Sequence, residues 1–216
     1  MKRIWIYESE LRAIAQESLV WESETGGDLF GMWAPEPVVY LATRMGPDSK
    51  RGRHACQFDL PYLERLSSFL ASEWGLNYFG DWHSHFLSQN DVPSRTDRNR
   101  IGRLLQRLGF PQIIEFIINV AEATPDAART VRVQGFEFPQ ETWYSPDALT
   151  ITICPGISPL RAILANRNVE LHQDWTGWKS VDMDKISGHQ CASETASVFK
   201  SFHQVFTCPS VENTSS

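Results

Sequence analysis

With 216 residues the chain is long enough for one domain with a proper hydrophobic core, or for one domain and an extension. Hydrophobic residues make up 42% and charged residues 21% of it, which excludes an intrinsically disordered chain. The net charge of −6 argues against nonspecific nucleic-acid binding as the main activity, and no run of about 18 apolar residues is present to suggest a membrane helix.

In chain order, Ile4-Trp5-Ile6-Tyr7 reads as a first strand, and Ser9 as the cap of a helix carrying Leu11, Ile14, Ala15 and Leu19 at near-helical spacing. The segment from Met1 to Glu8 turns charged too early for a secretory signal. Gly26 and Gly27 permit a tight turn and close backbone approach, and Leu29 to Trp33 follows as a buried strand. Another strand covers 38–43, then a polar loop runs from Gly46 to Arg53. Asp59 is placed to cap a helix through Leu63, Leu66, Phe69 and Leu70. Leu76 to Trp82 is aromatic-rich and free of proline, as a strand should be. Ile101, Leu104, Leu105 and Leu108 then repeat at helical spacing, and Gln112 to Val120 is a strongly apolar run suited to a buried central strand. Thr130 to Phe138 and Leu149 to Cys154 read as further strands, and Ser158 to Asn166 as a short helix. The order predicts an α/β protein, a mixed β-sheet with helices packed on it, without a regular βαβ repeat.

The four cysteines, Cys56, Cys154, Cys191 and Cys208, are scattered and form no Cys-x-x-Cys pair. They read as free thiols of a reducing compartment, with the cytoplasm as default.

His83-Ser84-His85, followed by Ser94 and Asp97, carries the most chemistry. Histidines at i and i+2 on a strand point to the same face. Asp97 falls in the first turn of the following helix and can turn back toward the strand end. Two neutral imidazoles and one carboxylate leave the fourth tetrahedral position open, the pattern of a catalytic zinc. Ser94-x-x-Asp97 is also a capping-box signal. The two readings are compatible, because a capping serine fixes the helix start that aims Asp97. A metal-dependent hydrolase also needs a proton carrier. Glu24 is the upstream candidate, with Glu22 and Asp28 as competing carboxylates.

Glu24-Thr-Gly-Gly-x-Leu-x-Gly, Gly80-Asp-Trp-His83-Ser-His85 and Pro93-Ser94-x-x-Asp97 together resemble the JAMM (MPN+) zinc metalloprotease family, which includes deubiquitinating isopeptidases and their prokaryotic relatives. The likeness runs from about Ile4 to about Phe138, and its specific part is confined to these blocks. The stretch between His85 and Ser94 is one residue longer than the family spacing, and Phe86 stands where proline commonly follows the second histidine. The resemblance implies a cytidine-deaminase-like MPN/JAMM fold, Zn2+ held by His83, His85 and Asp97, and Glu24 as general acid/base. It further implies Ser94 as hydrogen-bond donor to the water or the developing oxyanion.

On this reading residues 1–140 form the catalytic domain, 141–206 a C-terminal extension packed on the core, and 207–216 a flexible tail. Trp175 and Trp178 are expected as packing residues of the extension, and His172, His189 and His203 as structural histidines. The basic runs at 50–54 and 95–107 read as solvated faces. The expected activity is hydrolysis of the bond joining the C-terminus of a ubiquitin-like protein to a target amine. Its partners would be that protein and its conjugates, with no nucleic acid, no membrane and an open oligomeric state. Maturation of a ubiquitin-like or sulfur-carrier precursor, and a non-catalytic MPN interaction module, are the alternatives.

Overall fold

Ile4 and Ile6 face one side of the first strand and Trp5 and Tyr7 the other, and all four are buried. A strand covered on both faces needs a layer on each side. The computed structural model, which describes residues 2–33, 36–53, 55–87, 90–122, 129–166 and 181–191, shows what those layers are. In chain order the elements are β1 (Arg3–Tyr7), α1 (Glu8–Val20), β2 (Gly26–Met32), β3 (Val38–Ala42), a small hairpin of β4 (Lys50–Arg51) and β5 (Cys56–Gln57), α2 (Leu60–Trp74), β6 (Asn77–Phe86), α3 (Arg95–Leu108), β7 (Gln112–Ala121), β8 (Thr130–Pro139), β9 (Asp147–Cys154), α4 (Pro159–Asn166), β10 (Ile186–Ser187) and β11 (His189–Cys191).

The expected cytidine-deaminase-like MPN/JAMM fold, an open mixed sheet flanked by helices, is not what forms. The sheet closes on itself. Strands run in the order β8-β7-β6-β2-β3-β1-β9, and β9 returns to β8 through Gly135–Leu149, Phe136–Ala148 and Glu137–Asp147, which makes a seven-stranded mixed barrel. Beyond those three pairs β8 and β9 part. There β10 adds to β8 and β11 to β9, both in parallel. Closure is possible because β8 is ten residues long and can hold β7 along one edge while sharing its other edge between β10 and β9. Where β8 and β9 pair, no free sheet edge is left, and the short β10 and β11 form the edges that remain.

The helices follow from this. Leu11, Ile14 and Ala15 of α1 share one cluster with Ile4, Ile6, Leu29, Trp82, Phe116, Ile118, Val133 and Ile151, the inward residues of the staves. Leu66 and Leu70 of α2 and Leu160 and Leu164 of α4 pack outside, against Trp5, Tyr7, Phe30 and Tyr40. Ile101 and Leu105 of α3 cover Ile113, Ile117, Phe136 and Phe138 on the adjoining outer wall, and Tyr78 packs against both clusters. The polar side chains of α1 are paired inside the protein: Glu10 receives two bonds from Arg161 at 2.6 and 2.5 Å and one from the Ala42 N–H at 2.9 Å. Ser9 does not cap α1. Tyr7 stands at that position without a side-chain bond, and the buried Ser9 hydroxyl accepts from the Ser158 N–H at 2.9 Å. The helix start is therefore held by the tertiary fold and not by a local cap.

Expectations for Trp175, Trp178, His172, His203, Cys208 and residues 207–216 fall outside the described residues. His189 is half-buried on β11 and belongs to no metal-type cluster among the described residues. No described helix is long and apolar enough to cross a membrane.

Candidate metal centre and active-site cleft

β6 carries the centre, and one glycine sets which way its side chains point. Tyr78 packs on the outer wall and Phe79 in the interior. Simple alternation would put Asp81 inside and Trp82 outside. At Gly80 the backbone takes φ +145°, beside a register shift against β2 between Leu29 and Phe30. Such a bulge resets the phase of the strand, so Trp82 joins the interior while Asp81, His83 and His85 turn outward. A Cβ on Gly80 would come within 1.8 Å of the Ile114 carbonyl oxygen.

α3 brings the third donor. Ser94 caps it: its hydroxyl accepts from the Asp97 N–H at 3.2 Å, and Asp97 Oδ2 accepts from the Ser94 N–H at 2.8 Å. This reciprocal box uses one oxygen of Asp97 and leaves Oδ1 facing the histidines, 3.8 Å from His83 Nε2. The Asp97 carboxyl stays below its ordinary range, because His83 and the two Ser94 bonds outweigh the opposing effect of burial. The donor atoms of His83, His85 and Asp97 all lie within 4.8 Å of one another.

The far nitrogens of both rings are spoken for. His85 Nδ1 lies 3.1 Å from the Asn90 carbonyl, and His83 Nδ1 lies 3.4 Å from Glu115 Oε1. In a neutral imidazole an acceptor at Nδ1 favours the proton there and leaves Nε2 with a bare lone pair. The two Nε2 atoms then face each other at 3.0 Å, an arrangement that repels unless a cation or a proton lies between them. Donors held at about 2.0–2.1 Å from a tetrahedral zinc sit roughly 3.3 Å apart, so separations of 3.0 and 3.8 Å suit that geometry. Two imidazoles and one carboxylate, with the remaining direction toward solvent, fit a bound metal ion. Burial depresses the His83 pKa, but Glu115 and Asp97 more than compensate and raise it, whereas burial and the neighbouring His83 lower that of His85.

Behind the centre, Asp81, His83 and Glu115 form a second close group. It is not a metal cage. The Arg100 guanidinium reaches both carboxylates, bonding Asp81 Oδ1 at 2.9 Å and Glu115 Oε1 at 2.7 Å. Arg100 lies one turn beyond Asp97, so this ion pair ties the start of α3 to β6 and β7 and fixes Asp97 relative to His83. The sequence reading misses both residues. Arg100 is hidden in what looks like a solvated basic run; Glu115 is a lone carboxylate inside an apolar strand, and that was its available signal. A further pair holds the 90–93 loop: Asp91 accepts from Asn119 at 2.9 Å and from Arg132 at 2.8 Å, next to the carbonyl that steadies His85.

Glu24 enters the same cleft from the start of β2. The Thr25 N–H donates to Ser84 Oγ at 3.0 Å, and Ser84 N–H to the Thr25 carbonyl at 2.7 Å, which sets the turn beside β6. The Glu24 N–H bonds the Gly52 carbonyl at 3.0 Å, and the Arg51 side chain bonds Glu17 at 2.8 Å, so the β4–β5 hairpin fastens the turn from the other side. A Cβ on Gly26 would lie 2.5 Å from the Trp82 carbonyl oxygen and one on Gly27 1.8 Å from that of Thr43, so no larger residue fits this approach. Glu22 is on the solvent side, paired with Arg129. Asp28 is buried in the cleft wall, and burial together with Asp81 raises its pKa well above the ordinary value. Cys56 also lines the cleft, but burial, Glu24 and Asp81 push its thiol up to about 12, which leaves it unfit as a nucleophile.

The cleft has a volume of about 1270 Å³ and runs from these groups outward between α2 and α3.

No family model matches the chain. Over 111 residues it is 30% identical to the probable metalloprotease y4qB of Sinorhizobium fredii, which spans 49% of this chain and 67% of that protein. The chain belongs to the family of that probable metalloprotease. Membership agrees with a donor group suited to a metal ion and points to a hydrolase of the protease class. Among solved structures, the solution structure of protein DSY2949 from Desulfitobacterium hafniense superposes with a TM-score of 0.51 at 17% identity, covering 71% of this chain and 94% of that one. That likeness is one of fold alone.

Proposed function

We propose that the chain is a zinc-dependent peptidase with a JAMM-type constellation, cleaving the bond between the C-terminus of a ubiquitin-like protein and a target amine. The observation that carries the metal part is the pair of Nε2 atoms 3.0 Å apart, with Asp97 Oδ1 3.8 Å from that of His83. The constellation Glu24, His83, His85, Ser94 and Asp97 lines one cleft, and that supports the JAMM reading independently of how the sheet closes. When bound, zinc would polarise the scissile carbonyl and acidify the attacking water. Glu24 takes the water proton and returns it to the departing amine nitrogen. The Ser94 hydroxyl oxygen accepts the Asp97 N–H, and its own O–H remains able to donate to the carbonyl oxygen as that atom gains charge.

The test is Glu24→Gln, assayed with isopeptide-linked conjugates of ubiquitin-like proteins and with linear fusions. Bound metal should stay at wild-type stoichiometry while turnover falls at least about 100-fold. Undiminished turnover would remove Glu24 from the reaction. Cleavage of linear fusions alone would assign precursor maturation instead of deconjugation.

A further inference from the structure

Beyond the metal group the cleft changes character. α2 turns Leu60, Leu63, Glu64 and Ser67 toward it, and α3 turns Arg103, Leu104, Arg107 and Leu108. Each set recurs at the three- and four-residue spacing of one helical face. Phe58 and Phe110 add aromatic surface, and Leu60 and Leu108 are 55% and 40% exposed, so apolar side chains stand in water along both walls. Singly exposed leucines need no explanation, but facing leucines on the two walls of one groove mark a binding surface.

Charge distinguishes the occupant. Four carboxylates surround the donor group: Asp97 belongs to it, Glu24 stands beside it as the proposed proton carrier, Asp81 pairs with Arg100, and Asp28 is buried in the wall. The remaining charged side chains of the lining, besides the paired Arg100, are Arg53, Arg103 and Arg107 against Glu64. The three arginines are exposed, and among the described residues none is engaged in an ion pair. A basic rim on a chain of net charge −6 is a local feature, not a reflection of composition.

We propose that this outer groove binds an extended peptide segment rich in leucine-like and acidic side chains. The acidic groups meet Arg53, Arg103 and Arg107 and the apolar ones rest between Leu60 and Leu108. The inference rests on the peptidase reading for its meaning, and it makes the groove select substrates whose sequence beside the scissile bond is acidic and apolar. A basic segment is excluded by the same three charges.

The experiment separates binding from cleavage. Short fluorescein-labelled peptides alternating leucine with Asp and Glu, with Lys, or with Ser are titrated against the Glu24→Gln protein and read by fluorescence anisotropy. The acidic peptide should bind roughly tenfold more tightly than the basic one, and less tightly as salt rises. Arg103→Glu/Arg107→Glu should abolish or invert that order while bound metal and the thermal midpoint stay unchanged. Equal binding of the three peptides, or preference for the basic one, overturns the proposal. A concentration-dependent dimer that the double substitution dissociates would also overturn it, by giving the groove to a second copy of the chain. Selective acidic binding without cleavage of any substrate would sustain the groove and sink the peptidase reading. Cleavage indifferent to flanking charge would do the reverse.

Discussion

At the scale of single residues, the candidate metal ligands depend on groups outside the donor set. Glu115 fixes the outer nitrogen of His83, and the Asn90 carbonyl fixes that of His85. Outer partners of ligating histidines are typically worth 10–100-fold in metal affinity. Glu115→Ala should weaken zinc binding by about that factor in a chelator competition, and Glu115→Gln, whose amide oxygen can still accept from Nδ1–H, by less. Equal affinity in all three proteins would show that Glu115 only packs. Asp28 gives a prediction of opposite sign for stability. Its pKa is raised in the folded state, whereas the unfolded carboxyl ionises near about 3.9. The folded form therefore holds its proton to higher pH, and the stability this group contributes is full at low pH and lost as pH rises. Asp28→Asn should melt a few degrees above wild type at neutral pH, with the gap closing by about pH 4. A gap that widens on acidification would contradict the assignment.

At the scale of elements, the phase of β6 decides whether there is a site at all. Gly80→Ala would force a methyl group to 1.8 Å from the Ile114 carbonyl, and relief by backbone movement would disturb the β6–β7 register. A loss of at least about 2 kcal/mol in denaturant unfolding is expected, together with weakened zinc binding. Wild-type stability and metal content would mean the bulge is not needed to aim the histidines. What was legible in the sequence was local. The His-x-His spacing, the Ser94–Asp97 box and the Asp59 cap, whose carboxylate accepts from the Tyr62 N–H, each depend on residues a few positions apart. What was not legible was long-range. Closure rests on three pairs between β8 and β9, α1 is held from inside by Arg161 far along the chain, and Arg100 reads as one more solvated arginine until β6 and β7 bring Asp81 and Glu115 to it. Hydrophobic periodicity predicts which face of a strand is buried, but a curled sheet and an open one demand the same pattern.

At the scale of the whole molecule, the barrel separates stability from chemistry. Its interior is filled by apolar staves and the inner face of α1, while the candidate donor group, Glu24 and the cleft lie on the outer wall between α2 and α3. Zinc that binds only the folded form should add about 2.7 kcal/mol at a hundred times its dissociation constant, and a chelator should remove that gain without unfolding the barrel. The most direct test of the account is the coordination of zinc in the purified protein by X-ray absorption, with His83→Ala and Asp97→Ala alongside. One equivalent bound through two imidazole nitrogens and a carboxylate oxygen, and lost in both variants, is the predicted result. Zinc coordinated by other donors, or retained in both variants, would contradict it.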